Sequence, residues 1–281
     1  MTGINSSRLA FSRTTLSKLR RATAVIMIAG FAIFASGCDK LKARDNINSG
    51  TAAFKAGRFP EAADHFKLAV ELDPSIPNIR IYLATAYIQQ YIPGTETAEN
   101  KKYADAAMAE LNKTLEGDPK NSLATAYIAN LYYQMKDFPK AQEWNRKAVE
   151  LDPKDKGALY TLGVIPWTQF VGPDREARNN SKMKPEDPGP IKDPKERAAL
   201  KEKYWASLTE GIEFEKRALA VDPEYENAMA YMNLLIRYRA DLQDTKEQYQ
   251  ADVKEADDWV QKTLETTKIK AERKAANPNA K

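Results

Sequence analysis

The chain has 281 residues, 43 of them basic and 39 acidic, with one histidine and one cysteine. A lone cysteine forms no internal disulfide, and a lone histidine leaves no second ligand or Cys–His pair for a metal site or an activated nucleophile. Five basic residues and no acidic one fall within the first 37 positions, so the rest of the chain is close to neutral and carries no electrostatic footprint for nucleic acid.

Those first 37 residues read as a secretory signal. Arg8, Arg13, Lys18, Arg20 and Arg21 precede the apolar run Ala22 to Ala35, which ends on the small residues Ser36 and Gly37. Fourteen residues rise only ~21 Å as a helix against a hydrocarbon core of ~30 Å, which argues for a cleaved signal over a permanent span. The Arg20-Arg21 pair is followed by Ala22, Thr23 and Ala24, a poor fit to twin-arginine export. Ala35-Ser36-Gly37-Cys38 resembles the lipobox of bacterial lipoproteins, in which the cysteine is acylated and becomes the new N-terminus. The alternative is an ordinary cleaved signal with a cysteine nearby by chance. Lipidation of Cys38 implies a membrane-anchored, periplasm-facing protein of the bacterial cell envelope, since two or more acyl chains anchor stably where one does not. Asp39 resembles the inner-membrane retention signal of enteric lipoproteins. Residues 38–43 are expected to be a short linker.

From there a helical stretch closes four times on nearly the same hexapeptide: Ala69 to Pro74, Thr114 to Pro119, Ala148 to Pro153 and Ala218 to Pro223. The prolines lie 45, 34 and 70 residues apart, one bare 34-residue interval and two lengthened ones. A period of this size marks a helical solenoid, in which stacked helix pairs bury a continuous core. Proline lacks the next backbone donor and pushes the preceding residue out of the helical region, so the chain turns there. Expected units are 44–76, 77–121, 122–155, 156–225 and 226–243, followed by a capping helix at 244–276 and a disordered tail at 277–281.

Within the units, Gly50, Phe54, Gly57, Phe59, Ala62, Phe66, Ala69 and Pro74, and again Ala129, Tyr132, Phe138, Ala141, Ala148 and Pro153, fall in 34-residue register. This pattern resembles the tetratricopeptide repeat over residues 44 to 240. The resemblance implies an all-α fold, a right-handed α-solenoid of about five helix pairs with two insertions and a long C-terminal capping helix. The first insertion, 91–102, reads as a lengthened inter-helix loop leading into a helix that starts near Thr97. In the fourth unit a first helix from Gly157 to about Phe170 carries Pro166, which should kink it. The second insertion, 172–193, with prolines at 173, 185, 188 and 190, reads as a loop; Asp193 and Pro194 then cap and open the next helix. A capping box, Thr245 with Gln248, opens the last helix, with Tyr249, Val253, Ala256, Val260 and Leu264 on one face and Trp259 in a capping role.

No glycine-rich phosphate loop or nucleophile constellation appears, and acidic pairs such as Asp257-Asp258 stand in solvated helical settings, so the chain is expected to be non-enzymatic, without cofactor or metal. The resemblance implies a concave groove on the first helices, here at Phe54, Thr85, Ile88, Asn130, Tyr133, Gln134, Tyr160, Trp167, Arg237 and Tyr238, with core packing between repeats as the competing role for each aromatic. Such a mixed surface suits a protein or peptide partner. Asn130 matches one place of the carboxylate clamp of chaperone-binding relatives, but Ala126 stands where that clamp has a lysine. The leading expectation is a lipid-anchored envelope scaffold or adaptor. The alternative is a small-molecule or glycan-binding module with the 172–193 segment as a lid over Tyr160 and Trp167. An envelope hydrolase would need a deep acidic pocket that the repeats do not advertise.

Overall fold

The computed structural model describes residues 38–184 and 187–277; the signal segment at 1–37 and the tail from 278 lie outside the described residues. Among the described residues the secondary structure is helical throughout: α1 (38–55), α2 (Phe59–Leu72), α3 (Ile79–Ile88), α4 (Ala98–Gly117), α5 (Ser122–Gln134), α6 (Phe138–Leu151), α7 (Lys156–Asn180), α8 (Pro194–Val221), α9 (Glu226–Ala240) and α10 (Lys246–Ala276). The chain forms two compact units that meet in sequence at residue 110, within α4. None of these helices is long and apolar enough to cross a membrane.

The four Asp-Pro steps share one geometry. The backbone N–H of Asp73, Asp118, Asp152 and Asp222 each closes its helix on the carbonyl four residues back, at 2.8–3.0 Å. Each carboxylate then accepts the N–H two residues on: Ser75 at 3.1 Å, Lys120 at 3.2 Å, Lys154 at 2.9 Å and Glu224 at 3.1 Å. Proline cannot extend the helix and the aspartate turns the chain, so one short motif both stops a helix and aims the next. The following helices are capped by side chains in two cases: Asn121 accepts from Ala124 N at 2.9 Å, and Asp155 from Gly157 N and Ala158 N at 3.0 Å.

In the first unit Ala53, Ala62, Phe66, Ala69, Ile79 and Leu83 form a closed core. A Cβ on Gly50 would lie 2.6 Å from the Phe66 ring, so the helices approach this closely only because residue 50 has no side chain. The inserted segment after α3 is a loop only at 91–97, shorter than the expected 91–102, because 98–102 already form the first turn of α4. Buried Asn100 holds it. Its Oδ1 accepts from Ile92 N at 2.7 Å and its Nδ2 donates to the carbonyls of Ile92 and Thr95 at 2.9 and 2.7 Å.

The second unit carries the larger departure from expectation. Residues 172–180 are helix, and α7 runs unbroken through Pro166 and Pro173 to Asn180, leaving 181–193 as the connecting segment. Each proline removes one backbone bond at a cost of about 3 kcal/mol. Burial of Phe170 and Ala177 helps to offset this, and Asp174 and Arg178 are carried into the interior with them. Phe170 shares a core with Ile191, Leu208, Ile212, Met232, Leu235 and Ala256, drawn from α7, α8, α9, α10 and the connecting segment itself. The expected cap of α8 by Asp193 and the capping box of Thr245 and Gln248 are both present. Trp259 packs against the shared core, and on the expected face of α10 Ala256 is buried and Tyr249, Val253 and Val260 are half-buried; only Leu264, farther along, is exposed, at 60%.

The residue eight places before each closing proline is an inward one, and in the first and last of these helices it lies against a glycine, Gly50 or Gly163. It is Phe66, Leu111, Asn145 and Glu215 in successive units, and all four are buried. Asn145 satisfies itself on the Ala141 carbonyl at 2.8 Å. Glu215 has no hydrogen-bond partner for either carboxyl oxygen and lies where a Cβ on Gly163 would collide with it. Burial pushes its carboxyl up to about 9, from 4.5.

Below pH 4.5 the acid is neutral in both folded and unfolded chains. Between 4.5 and 9 only the unfolded chain releases the proton, so stability falls as pH rises, by up to about 1.4 kcal/mol per pH unit. Replacing Glu215 by leucine, the type found at position 111, should remove that slope and so raise stability at pH 8 by up to about 5 kcal/mol, the slope taken over the ~3.5 pH units above 4.5. Urea unfolding from pH 5 to 9 checks this, and parallel profiles for the two proteins would refute it. Asn100→Ala should cost about 2 kcal/mol in the same assay and speed amide exchange at Ile92; unchanged exchange there would show that the side chain does not hold the loop.

Candidate functional site

The expected groove residues fall into three settings. In the first unit Phe54 is half-buried, its ring 5.2 Å edge-on from Phe59, and Thr85 donates to the Tyr82 carbonyl at 2.8 Å. Ile88 is buried, so it serves packing and offers no open surface.

In the second unit Asn130 is exposed and accepts from Gln134 Nε2 at 2.5 Å, which leaves the Asn130 amide nitrogen available. Tyr133 stacks edge-on with Phe138 at 5.9 Å. Tyr160 and Trp167 are drawn into a seam between α7 and α9: both meet Tyr231 edge-on at 5.3 Å, and Tyr160 also contacts Tyr225 at 5.6 Å. Burial raises the Tyr160 hydroxyl well above the ordinary phenol range, with Tyr231 as its neighbour and bonding partner. These two side chains therefore pack repeat on repeat. The indole N–H of Trp167 is buried without a partner in that seam.

Arg237 and Tyr238, with Leu234, open instead onto a cavity of about 540 Å³. One wall is the extension of α7, through Val171, Asp174, Arg175 and Arg178; another is α10, through Tyr249 and Val253; Met183, Asp187 and Pro188 of the connecting segment close a third. Tyr238 is set by an edge-on contact with Phe170 at 5.8 Å. Arg237 is held by Asn233 at 2.7 Å and paired with Asp257.

The connecting segment is fastened rather than free. Arg178 donates to the Asp187 carbonyl at 2.6 Å and to Asp241 Oδ1 at 3.0 Å, while Ile191 N donates to the Asp241 carbonyl at 3.0 Å and the Ile191 side chain is fully buried. The segment thus borders the cavity of Arg237 and Tyr238, and the expected lid over Tyr160 and Trp167 is not what it forms: neither residue lines that cavity.

At the inner end of the cavity Asp174 and Asp241 face each other. Asp174 is only 4% exposed and its Oδ1 has no hydrogen-bond partner. Burial raises both acids, Asp174 to about 6 and Asp241, which also feels the Asp174 charge and shares a hydrogen bond with it, to about 7, against the lowering effect of Arg178. Sequence reading passed over Asp174 and Arg178 because the prolines around them read as loop. Their four-residue spacing was the available signal, since it places both on one helical face. Among the described residues no group of three metal-ligating side chains could hold a metal ion.

Tetratricopeptide-repeat family models match residues 47–122 and 98–163. No curated protein matches the chain. Solved structures share the fold: a MamA protein, 14% identical, aligns over 85% of this chain and 97% of its own with a TM-score of 0.51. MamA from Desulfovibrio magneticus RS-1, residues 41 to the end, is 17% identical over 81% of this chain and 96% of its own, at 0.52. At these identities the likeness is one of fold. The repeat matches identify residues 47–163 as tetratricopeptide repeats, and the helix pairs closed by Asp-Pro steps and the shared architecture give the chain the α-solenoid fold.

Proposed function

We propose that the protein is a non-catalytic scaffold or adaptor of the bacterial cell envelope, anchored through lipid on Cys38, that grips a peptide segment of a partner protein. The observation that carries the peptide reading is the cavity under Leu234, Arg237 and Tyr238. These are first-helix places of the last repeat, where the tetratricopeptide resemblance sets the binding groove, and here they are walled by apolar, aromatic and charged groups. Its volume of about 540 Å³ suits a few side chains of an extended or helical segment. Asn130 and Gln134, exposed or half-exposed on α5, add amide contacts of the kind that orient a peptide backbone.

Anchoring rests on the lipobox-like Ala35-Ser36-Gly37-Cys38 and on the exposure of Cys38 at the head of α1, where its thiol is open to acylation. With Cys38 already in α1, the repeats would stand close to the bilayer. The glycan-binding alternative loses its main support, because the aromatic pair it needed is packed against Tyr231.

A photoreactive side chain placed at Arg175, on the exposed rim of the cavity, or at Tyr133 should cross-link a discrete partner in cells, while the same group at exposed Leu264 should not. Equal labelling from all three positions would count against a cavity-borne site. Inhibiting lipoprotein signal peptidase should accumulate a lipidated precursor, and Cys38→Ser should leave the membrane fraction. A Cys38→Ser protein that fractionates like wild type would refute anchoring at this residue.

A further inference from the structure

We propose that the cavity of the second unit takes a primary ammonium group, the side-chain terminus of a peptide lysine, with Asp174 and Asp241 as its acceptors. This rests on the peptide-binding reading and gives it a chemistry. Two carboxylates meet a single guanidinium at the inner end of the cavity: Arg178 pairs with Asp241 at 3.0 Å and spends its other nitrogen on the Asp187 carbonyl. One negative charge is left over. A buried carboxylate resolves such an excess by taking up a proton or by receiving a cation. The excess belongs to the Asp174–Asp241 pair, which shares a hydrogen bond, and its open acceptor is Asp174 Oδ1, unpartnered on a side chain that is 4% exposed and lines the cavity.

The other cations of the wall do not supply the missing charge. Arg237 is turned to Asp257 and Asn233, and Arg175 is exposed at the rim. The charge order is therefore acidic within and basic at the mouth, the reverse of what an incoming carboxylate or phosphate would need. Between rim and floor stand Val171, Leu234, Tyr238 and Val253, which offer an apolar sleeve. A lysine matches that sequence of surfaces. Its methylene stem covers apolar surface while its three donors reach acceptors beyond it. A planar guanidinium is a poorer fit to two acceptors already sharing one with Arg178.

The test uses the full chain in detergent micelles and three probes, Ac-Ala-Lys-Ala-NH2 and its norleucine and glutamate counterparts, followed by calorimetric titration. The lysine probe should bind about tenfold more tightly than the norleucine probe, and the glutamate probe more weakly than either. Asp174→Asn should abolish the lysine preference while leaving binding of the norleucine probe in place, with circular dichroism reporting that the variant is folded. Equal binding of lysine and norleucine probes to the unaltered chain overturns the proposal whether or not the variant folds, and so does a lysine preference that survives Asp174→Asn. If no probe binds while cross-links from Arg175 persist, the lysine reading falls and the peptide reading stands. If the cross-links fail as well, both fall.

Discussion

The Asp-Pro step is the constraint on which the architecture depends. A helix that ends against proline cannot drift onward, and a carboxylate that accepts the amide two residues ahead fixes the direction of exit. Repeated at 73, 118, 152 and 222, the same local chemistry sets four helix ends alike, although the intervening lengths differ by more than thirty residues. Local turn chemistry and the global fold therefore agree, which is what allows insertions to be accommodated between the steps without loss of the repeat. The insertions differ in how they are satisfied. The first is closed by one buried amide, Asn100, whereas the second becomes part of a core.

That second case explains the composition of the fourth unit. The place held by an aromatic ring in the first unit is held there by Glu215, a side chain that contributes no hydrogen bond to the seam. Phe170, Leu208 and Leu235 supply apolar mass together with Ile191 and Ala256, which come from elements that a minimal repeat does not possess, the connecting segment and α10. The cavity is a by-product of the same departure. A helix extended past its normal stop, a segment pinned beside it and a terminal helix laid across the array leave a walled space in front of α9, where an unelaborated repeat would present an open face.

Much of this was legible in the residues. The hexapeptides marked the helix ends, Gly50 and Phe66 were both placed in the 34-residue register, and the Asp193 cap and the Thr245–Gln248 box were read from local chemistry alone. The misreadings share a cause. Pro173 and the prolines at 185, 188 and 190 are strong local signals for a loop, and over 172–180 they were outweighed by burial of Ala177 and Arg178, which depends on the packed neighbours being in place. Leu264 was assigned inward by periodicity, and the face it shares with Tyr249, Val253, Ala256 and Val260 is covered as far as Val260 but no longer at Leu264. The site was readable in part: Arg237 and Tyr238 were named from their repeat positions, but Asp174 and Asp241 lie in sequence that only the extension of α7 brings together. Tyr160 and Trp167, named for a groove, were claimed by Tyr231 because aromatic edges find one another across a repeat seam.

The extension of α7 also changes what kind of object the C-terminal half is. In a simple array each repeat touches only its neighbours, so a terminal unit can be removed and the remainder shortened without being undone. Here residues from α7, α8, the connecting segment, α9 and α10 share one core, and Arg178, Asp241 and Arg239 with Asp252 tie the same elements together by charge. The modularity of the repeat has been surrendered at this end of the chain. Residues from about 156 to 270 form an indivisible block, so deletion of α10 would expose a core rather than shorten an array, and any recombination with other repeat proteins must take this block whole.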